Sequence, residues 1–202
     1  MNYILITGAS AGIGEVFARQ LAQQGNNLIL TARRKDKLDH LADELRSLYK
    51  VEVETLVADL AATEGSKEIE STISQSGWKI SGLINNAGFG DRGSFSTLPL
   101  ERQLQMIQLN VTSLVELTHR LLPNIKQHQQ AFIINVASTA AFQAGPNMAV
   151  YYASKAFVLS FSEALHEELK GQNIAVSALC PGATASEFAT QANMTDTKLF
   201  KA

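Results

Sequence analysis

Short apolar runs alternate along this chain with longer segments of mixed polarity. The apolar runs are rich in β-branched residues, as expected of strands in a parallel sheet that is covered on both faces. Because strands that alternate with helices indicate βαβ units, we predict an α/β fold with three layers. The six predicted strands are Tyr3–Thr7, Asn27–Ala32, Val53–Ala58, Leu83–Asn86, Phe132–Ala137 and Ile174–Leu179.

Two of the intervening segments repeat apolar residues at the spacing of an amphipathic helix. The first of these helices follows Asp36, which we expect to be its N-cap, and the other runs from about Met148 to Lys170. Their apolar stripes are Leu38, Leu41, Leu45 and Leu48 in the first helix and Val158, Phe161, Leu165 and Leu169 in the other.

Length and composition indicate one globular domain. The chain has 202 residues, of which 46% are hydrophobic and 18% charged, and this suits a single core over residues 1–202. Residues 184–202 are rich in Thr and Ala, and we expect them to form a flexible flap over the substrate.

Charge and hydropathy exclude several classes of partner. The formal net charge of -2 provides no basic field for a polyphosphate, so we do not expect a nucleic acid partner. No apolar run approaches the roughly 18 residues that cross a bilayer, and the amino terminus lacks a basic leader region. We therefore expect no membrane partner and place the protein in the cytoplasm. The one cysteine, Cys180, fits a reducing compartment, and we expect it to be a small buried residue at a strand end.

A glycine-rich turn joins the first predicted strand to the first helix. Gly8 permits a tight turn, Gly12 allows a ligand to approach the backbone, and Gly14 allows the helix to pack closely on the strand. The free amides at the start of such a helix suit a pyrophosphate, so the turn is a candidate dinucleotide site. The alternative is a glycine-rich connection without a ligand.

The end of the second strand indicates which dinucleotide binds. An acidic residue there would bond the ribose 2′-hydroxyl and repel a 2′-phosphate, but Ala32 stands near that position, followed by Arg33 and Arg34. Guanidinium groups grip phosphate, and before a helix N-terminus the helix dipole disfavours cations unless an anion binds. We therefore predict NADP(H) rather than NAD(H), with a solvated basic patch as the alternative. Asp59, after the third strand, either accepts from the adenine amino group or caps a helix.

Tyr151 and Lys155 lie one turn apart on the helix that is predicted from Met148. A tyrosine titrates near pH 10, and a cation about 4 Å away would lower its pKa by roughly three units. We therefore predict Tyr151 as a general acid/base, with Lys155 supplying the shift. Tyr152 is the competing candidate, although its spacing points it towards the core. The plainer interpretation is an aromatic ring packed against a lysine stem.

Polar residues end two further strands at the carboxyl edge, where open α/β sheets bind ligands. Ser138 follows the fifth strand and can polarise a carbonyl group. Asn85–Gly88 end the fourth strand, and their small residues would let the backbone approach a cofactor. Asn110 lies in the next helix, where the alternative to a catalytic role is a bond to backbone or water.

Together these motifs resemble the short-chain dehydrogenase/reductase family, and the resemblance covers the chain to about Phe188. The matching residues are Thr7–Gly14 for the glycine motif, Asn85–Gly88 for the fourth-strand motif, Leu109–Val111 around the helix asparagine, Ser138 followed 13 residues later by Tyr151 with Lys155, and Pro181–Gly182 for the turn on the nicotinamide side.

The resemblance implies a Rossmann-like, doubly wound sheet and an NADP(H)-dependent enzyme. We expect no metal site. The resemblance also implies that Tyr151 gives the proton, Lys155 bonds the nicotinamide ribose and Asn110 helps to hold a water. Ser138 completes the catalytic tetrad. A homodimer or homotetramer, packed through the helices that carry Asn110 and Tyr151, is also implied. The implied cofactor-binding residues are Gly8, Ser10, Gly12, Ile13, Gly14, Arg33, Arg34, Asp59, Leu60, Asn86, Ala87, Gly88, Tyr151, Lys155, Pro181, Gly182 and Thr184.

The chain departs from the family at its end. Fuller members continue past the flap into another helix and a seventh strand, whereas this sequence stops at Ala202. The sixth strand, Ile174–Leu179, would then be an apolar edge, which is a pairing hazard. We expect another chain to cover this edge, or the sequence to be an incomplete version of the native one.

Three functions fit these motifs. The leading hypothesis is a reductase or dehydrogenase that interconverts a small, fairly apolar carbonyl compound and its alcohol. The alternative is an NADP(H)-binding regulatory or scaffold protein without significant turnover. An epimerase or dehydratase would use the same Tyr/Lys chemistry, but it usually carries a large carboxyl-terminal domain. The preference for an apolar substrate rests on four aromatic residues in the expected substrate-side segments, Phe89, Phe95, Phe142 and Phe188.

Overall fold

The computed structural model describes residues 1–183, 187 and 192. Its strands are β1 (Asn2–Thr7), β2 (Asn27–Ala32), β3 (Val53–Val57), β4 (Lys79–Asn85), β5 (Ala131–Val136) and β6 (Ile174–Leu179). Its helices are α1 (Gly12–Gln23), α2 (Lys35–Tyr49), α3 (Gly65–Ser76), α4 (Leu100–Ile107), α5 (Ser113–Ile125) and α6 (Ala149–Leu169).

The strands form one parallel sheet in the order β3-β2-β1-β4-β5-β6. The chain winds outwards from β1 to β3, then returns to place β4 on the other side of β1. This reversal is the hallmark of a doubly wound sheet, and it confirms the predicted Rossmann-like α/β fold.

Successive residues of the central strand face opposite cores. Tyr3 and Leu5 of β1 pack with buried residues of α3, α5 and α6, whereas Ile4 and Ile6 pack with α1 and α2. Helices therefore cover both faces of the sheet, which confirms the three layers. The same arrangement explains why the strands read as continuous apolar runs.

Five strands lie within one residue of the prediction, and β4 is the exception because it begins at Lys79. Ser81 and Gly82 interrupt its apolar run, yet the backbone pairs with β1 from Lys79 onward. A Cβ at position 82 would lie 2.5 Å from the ring of Phe132, so glycine is needed where that ring crosses the strand.

The two predicted helices are present, with one wrong boundary. α2 begins at Lys35 with Arg34 at its N-cap, so the prediction of Asp36 as N-cap was wrong. Asp36 instead lies in the first turn, where its negative charge interacts favourably with the helix dipole. Three of the four predicted leucines are buried, but Leu48 is 60% exposed, because at 100° per residue it has rotated to the rim of the stripe.

β6 is one edge of the sheet in the described part of the chain. Its buried residues alternate with exposed ones, and Leu179 at its end is exposed. Cys180 is half-buried rather than buried because it follows this edge strand, although it packs against the cluster around Val158. Among the described residues, none of the helices has the length and apolarity that a membrane span requires.

Candidate active site

The candidate site is a cleft at the carboxyl ends of the strands, beside the point where β1 and β4 meet. A cavity of about 400 Å³ opens there, within the range of roughly 300–1,000 Å³ typical of ligand sites. Gly14 does not line it, and Thr184 falls outside the described residues. The other predicted cofactor-binding residues line the cavity: Gly8, Ser10, Gly12, Ile13, Arg33, Arg34, Asp59, Leu60, Asn86, Ala87, Gly88, Tyr151, Lys155, Pro181 and Gly182.

The glycine turn forms one wall of the cleft. Gly8 and Gly12 have φ values of 65° and 59°, in the left-handed region that favours glycine. Ala11 precedes α1 in an extended conformation and offers no side chain that could cap the helix. The first amides of α1 are therefore left to bind an anion from the cavity.

Gly14 packs the helix against the strand ends, as predicted for the last glycine of the turn. A Cβ at this position would lie 2.4 Å from the Gly8 carbonyl oxygen and 2.5 Å from the side-chain nitrogen of Asn86. Only glycine lets α1 approach the strand ends this closely. Gly14 therefore supports the wall of the cleft without lining the cavity.

A set of hydrogen bonds, here called the Thr7 clasp, joins the end of β1 to the end of β4. The Thr7 hydroxyl accepts from the backbone N–H groups of Asn86 and Ala87, each at 2.9 Å. The Asn86 side chain donates to the Thr7 carbonyl oxygen at 2.8 Å. The clasp holds the glycine turn and the fourth-strand motif together as one floor.

Basic residues border the cleft at the end of β2. The exposed Arg33 and the half-buried Arg34 both line the cavity beside Ala32. Arg34 donates from Nε and Nη2 to the Ser10 hydroxyl at 3.3 and 3.1 Å, so its guanidinium is held against the glycine turn. Sequence reasoning missed Glu187, whose carboxylate lies 2.8 Å from Nη1 of Arg34 and also lines the cavity.

Asp59 combines features of its two predicted roles. Its Oδ1 accepts from the Ala61 N–H at 2.9 Å, as a capping residue would. Asp59 also lines the cavity, next to Leu60. The local bond therefore fixes the carboxylate at the rim, and contact with an adenine stays a prediction.

Three members of the predicted tetrad line one end of the cavity. Ser138 directly follows β5, while Tyr151 and Lys155 lie on the first turns of α6. The Tyr151 hydroxyl is hydrogen-bonded to the Ser138 side chain. The Lys155 ammonium lies 5.9 Å from the centre of the Tyr151 ring and donates to the Val136 carbonyl oxygen at 2.7 Å.

Burial dominates the titration of this pair. Desolvation raises the pKa of Tyr151, although the hydrogen bond with Ser138 opposes the rise. Desolvation lowers the pKa of Lys155 to about 8. The prediction that Lys155 lowers the pKa of Tyr151 was therefore wrong for this arrangement, because burial of the phenol outweighs the effects that would lower its pKa. The phenol is protonated at neutral pH, which is the form that can donate a proton.

Asn110 lies behind the cavity rather than on its wall. It occupies a π-helical turn, Gln108–Thr112, between α4 and α5, and is 1% exposed. Its Oδ1 accepts from the Phe89 N–H at 3.1 Å, and its Nδ2 donates to the Phe89 carbonyl oxygen at 2.9 Å. The side chain thus bonds to backbone, which was the alternative to catalysis, and its part in a proton relay stays a prediction.

Ser154 links Asn110 to the backbone of α6, a connection that sequence reasoning missed. Its hydroxyl accepts from Asn110 Nδ2 at 3.1 Å and donates to the Tyr151 carbonyl oxygen at 2.7 Å. Ser154 is only 4% exposed. Its position three residues after Tyr151, on the same helical face, was the available signal.

The end of the cleft beside Tyr151 is apolar, but its walls are not the predicted ones. Ala140 and Met148 line the cavity and form a buried cluster with Tyr151 and with Met106, which does not line it. Tyr152 packs against this cluster. Tyr152 lines the cavity instead of pointing coreward, because its ring lies over Gly145, where a Cβ would be 2.3 Å away.

The phenylalanines that were expected on the substrate side do not line the described part of this cavity. Phe89 packs against the apolar cluster and beneath the Arg102 guanidinium. Phe95 and Phe142 are each 67% exposed, and Phe188 falls outside the described residues. The expectation was wrong for Phe95 and Phe142, which point into solvent, whereas Phe89 lies near the site without lining the main cavity.

The last segment of the cleft is held against β5. The Thr139 N–H donates to the Pro181 carbonyl oxygen at 3.0 Å, and the Ala137 N–H donates to the Leu179 carbonyl oxygen at 2.8 Å. These bonds place Pro181 and Gly182 beside Ser138 on the cavity wall.

Comparison with known proteins relates this architecture to one family. Residues 2–197 match the model of the short chain dehydrogenase family. The very-long-chain 3-oxoacyl-CoA reductase of Homo sapiens is 31% identical over 192 residues, which are 93% of this chain and 61% of that protein. The Anas platyrhynchos reductase of the same name is 34% identical, over 89% of this chain and 58% of its own length. The chain thus spans about three fifths of these relatives.

Solved structures give the same result. A short-chain dehydrogenase from Sphingobium yanoikuyae in complex with NADPH is 35% identical, with a TM-score of 0.91, over 100% of this chain and 80% of that one. The bulky-bulky ketone specific alcohol dehydrogenase from Comamonas testosteroni is 36% identical, with a TM-score of 0.86, over 92% and 74% of the two chains.

Proposed function

Because this chain belongs to the short chain dehydrogenase family, we propose that it is an NADP(H)-dependent oxidoreductase that interconverts a carbonyl compound and its alcohol. One observation carries the proposal. Ser138, Tyr151 and Lys155 meet at one end of a single cavity, Arg33 and Arg34 border its other end, and the glycine turn lies between them. NADP(H) has the matching arrangement, with its reactive ring at one end, its 2′-phosphate at the other and its pyrophosphate between them.

The residues of the cleft fit such a cofactor. The amides at the start of α1 face the cavity, and the missing side chain at Gly12 leaves room for a pyrophosphate. Ala32 stands where an acid would repel a 2′-phosphate, and the guanidinium groups of Arg33 and Arg34 flank it. Thr31, on the same wall, has a buried hydroxyl without a hydrogen-bond partner in the described structure, which leaves a polar group for a ligand.

Each segment of the wall then has a part in binding. The glycine turn would hold the pyrophosphate, Arg33 and Arg34 the 2′-phosphate, and Asp59 with Leu60 the adenine. Asn86–Gly88 would form the floor, Lys155 would bond the nicotinamide ribose, and Pro181 with Gly182 would flank the ring. When bound, the cofactor supplies or accepts the hydride.

The chain itself would handle the proton. Ser138 would hold the carbonyl oxygen, and the protonated Tyr151 hydroxyl would donate to that oxygen during reduction. Lys155, with a pKa of about 8, can hold or release a proton close to neutral pH. Asn110 and Ser154 would fix the position of α6 beside the cleft. Ser154 supports this because its hydroxyl bonds both to the Asn110 side chain and to the Tyr151 carbonyl oxygen.

The proposed substrate is a fairly apolar carbonyl compound. Support comes from the buried cluster of Met106, Ala140 and Met148 beside Tyr151. Named relatives act on 3-oxoacyl-CoA thioesters or bulky ketones, so these two classes are the first to test.

We further propose a homodimer or homotetramer in the cytoplasm. Large apolar side chains are exposed on α4, at Leu100 and Leu104, and on α6, at Phe157, where a second copy could pack. The lone cysteine suits a reducing compartment. Light scattering during gel filtration gives the mass, and a strict monomer at micromolar concentration would contradict the assembly.

The test is NADPH oxidation with long-chain 3-oxoacyl-CoA thioesters and bulky ketones. We expect turnover by the wild type and a loss of about 10²- to 10⁴-fold in Tyr151→Phe. Tyr49→Phe, which removes a hydroxyl from the far end of α2, is the matched control and should keep its activity. NADPH binding without turnover on any member of the panel would favour the regulatory alternative.

A further inference from the structure

Glu187 bridges two of the cations at the start of α2, Arg34 and Lys37. Its Oε2 lies 2.8 Å from Nη1 of Arg34, and its Oε1 accepts from the Lys37 ammonium at 2.7 Å. The carboxylate comes from a segment some 150 residues further along the chain, and Glu187 lines the same cavity as Arg34. An anion of this protein therefore already lies in the basic end of the cleft.

The bonds of Arg34 leave little of its guanidinium for another anion. Nε and Nη2 face Ser10, so that edge is held by the glycine turn. Nη1 faces Glu187. A phosphate that approaches Arg34 from the cavity needs the same N–H groups that this carboxylate engages.

We infer that Glu187 is a specificity-determining residue for the cofactor. Its carboxylate, which Lys37 holds in place, competes with the 2′-phosphate for Arg34, and so weakens the binding of NADP(H) without affecting NAD(H). The inference rests on the proposed function, which places the 2′-phosphate at this end of the cleft. Arg33 is exposed and lines the same cavity, so it is the first cation available to the phosphate.

The competition is modest in size, because the ion pair is half exposed. The side chains of Arg34 and Glu187 are 39% and 41% exposed, and pairs in that setting contribute at most about 1 kcal/mol. Hydrogen bonds from Lys37 and then from Arg34 hold the pKa of Glu187 below its ordinary value, so the competing charge is present at neutral pH. Removal of the charge should therefore change affinity by roughly threefold to fivefold.

The experiment is calorimetric titration of the full chain with NADPH and with NADH. Glu187→Gln removes the charge and keeps the shape, and Glu187→Ala removes both. We expect each variant to lower the NADPH dissociation constant by roughly threefold to fivefold and to leave that for NADH within about twofold. Glu163→Gln is the matched control, because it removes an exposed carboxylate of α6 far from the cleft.

The outcomes separate this inference from the proposed function. Equal changes for the two cofactors, no change, or weaker NADPH binding in both Glu187 variants would overturn the inference alone. NADH serves as the internal check that the variants are folded. A wild type that binds neither cofactor would overturn the proposed function, and the inference with it.

Discussion

The ammonium group of Lys155 donates to the carbonyl oxygen of Val136, the last residue of β5, at 2.7 Å. This bond ties α6 to the sheet and holds a cation in a place where water is largely excluded. Lys155 is only 6% exposed, and burial lowers its pKa to about 8. The site therefore contains a group whose charge changes close to physiological pH.

This shift predicts a pH dependence of stability. Between about pH 8 and the ordinary lysine value near 10.4, the unfolded chain retains a proton that the folded chain has released. Stability from this group therefore rises with pH across that window. We expect the unfolding free energy of the wild type to gain on the order of 2 kcal/mol relative to Lys155→Met between pH 7.5 and 9.5, measured by urea titration. A constant difference would mean that Lys155 titrates at its ordinary value.

Ser138→Ala should separate catalysis from cofactor binding. Burial raises the pKa of Tyr151, and the hydrogen bond with Ser138 opposes that rise. Because the variant removes this bond, we expect the pKa of the phenol to rise further. We also expect kcat/KM to fall by about 10²- to 10³-fold, as for other groups that stabilise a reacting oxygen, while the NADPH dissociation constant is unchanged. Kinetics and an ultraviolet titration against Tyr151→Phe measure both effects. The exposed Ser160→Ala is the control, and a similar loss there would discredit the assignment.

Arg33→Ala should discriminate between the two nicotinamide cofactors. Loss of a charge-assisted hydrogen bond costs about 1.5 to 3 kcal/mol, which is roughly a tenfold to 150-fold rise in the KM for NADPH. NADH has no 2′-phosphate, so its KM should move little. Steady-state kinetics with the two cofactors measures the ratio of the two KM values. Equal changes for NADPH and NADH would contradict the placement of the 2′-phosphate at this end of the cleft.

Gly14→Ala should damage both the fold and the cofactor site. The new methyl group would meet the Gly8 carbonyl oxygen and the Asn86 side chain at about 2.5 Å or less, and overpacking of this kind costs about 1–3 kcal/mol. Gly171→Ala is the matched control, because a Cβ there meets no atom within 4 Å. Thermal unfolding and NADPH titration should show a loss in the first variant alone. An unperturbed Gly14→Ala protein would show that the turn can relax.

The sequence predicted the features that are decided locally. Buried parallel strands must be apolar on both faces, so β2 and β6 could be placed to the residue, and the glycine turn follows from backbone conformations that other residues rarely adopt. β4 was placed too late because Gly82 looks like an interruption until the ring of Phe132 is seen across it.

Features that depend on distant partners were not predictable. The bond between Asn110 and Ser154 joins residues 44 positions apart, and Glu187 reaches Arg34 from the far end of the chain. The direction of the Tyr151 shift was also wrong, because it depends on how much water the completed site excludes. Helical spacing placed Lys155 near the phenol but said nothing about the Val136 carbonyl that holds its ammonium.

The Thr7 clasp also joins parts of the cleft that are synthesised at different times. The glycine turn is complete in sequence after the first few residues, yet its floor consists of groups about 80 positions later. A nascent chain on the ribosome thus displays the motif long before it can use it. The cleft takes shape only when β4 has emerged and docked beside β1, so a dinucleotide added during translation would select chains whose central strands have already joined.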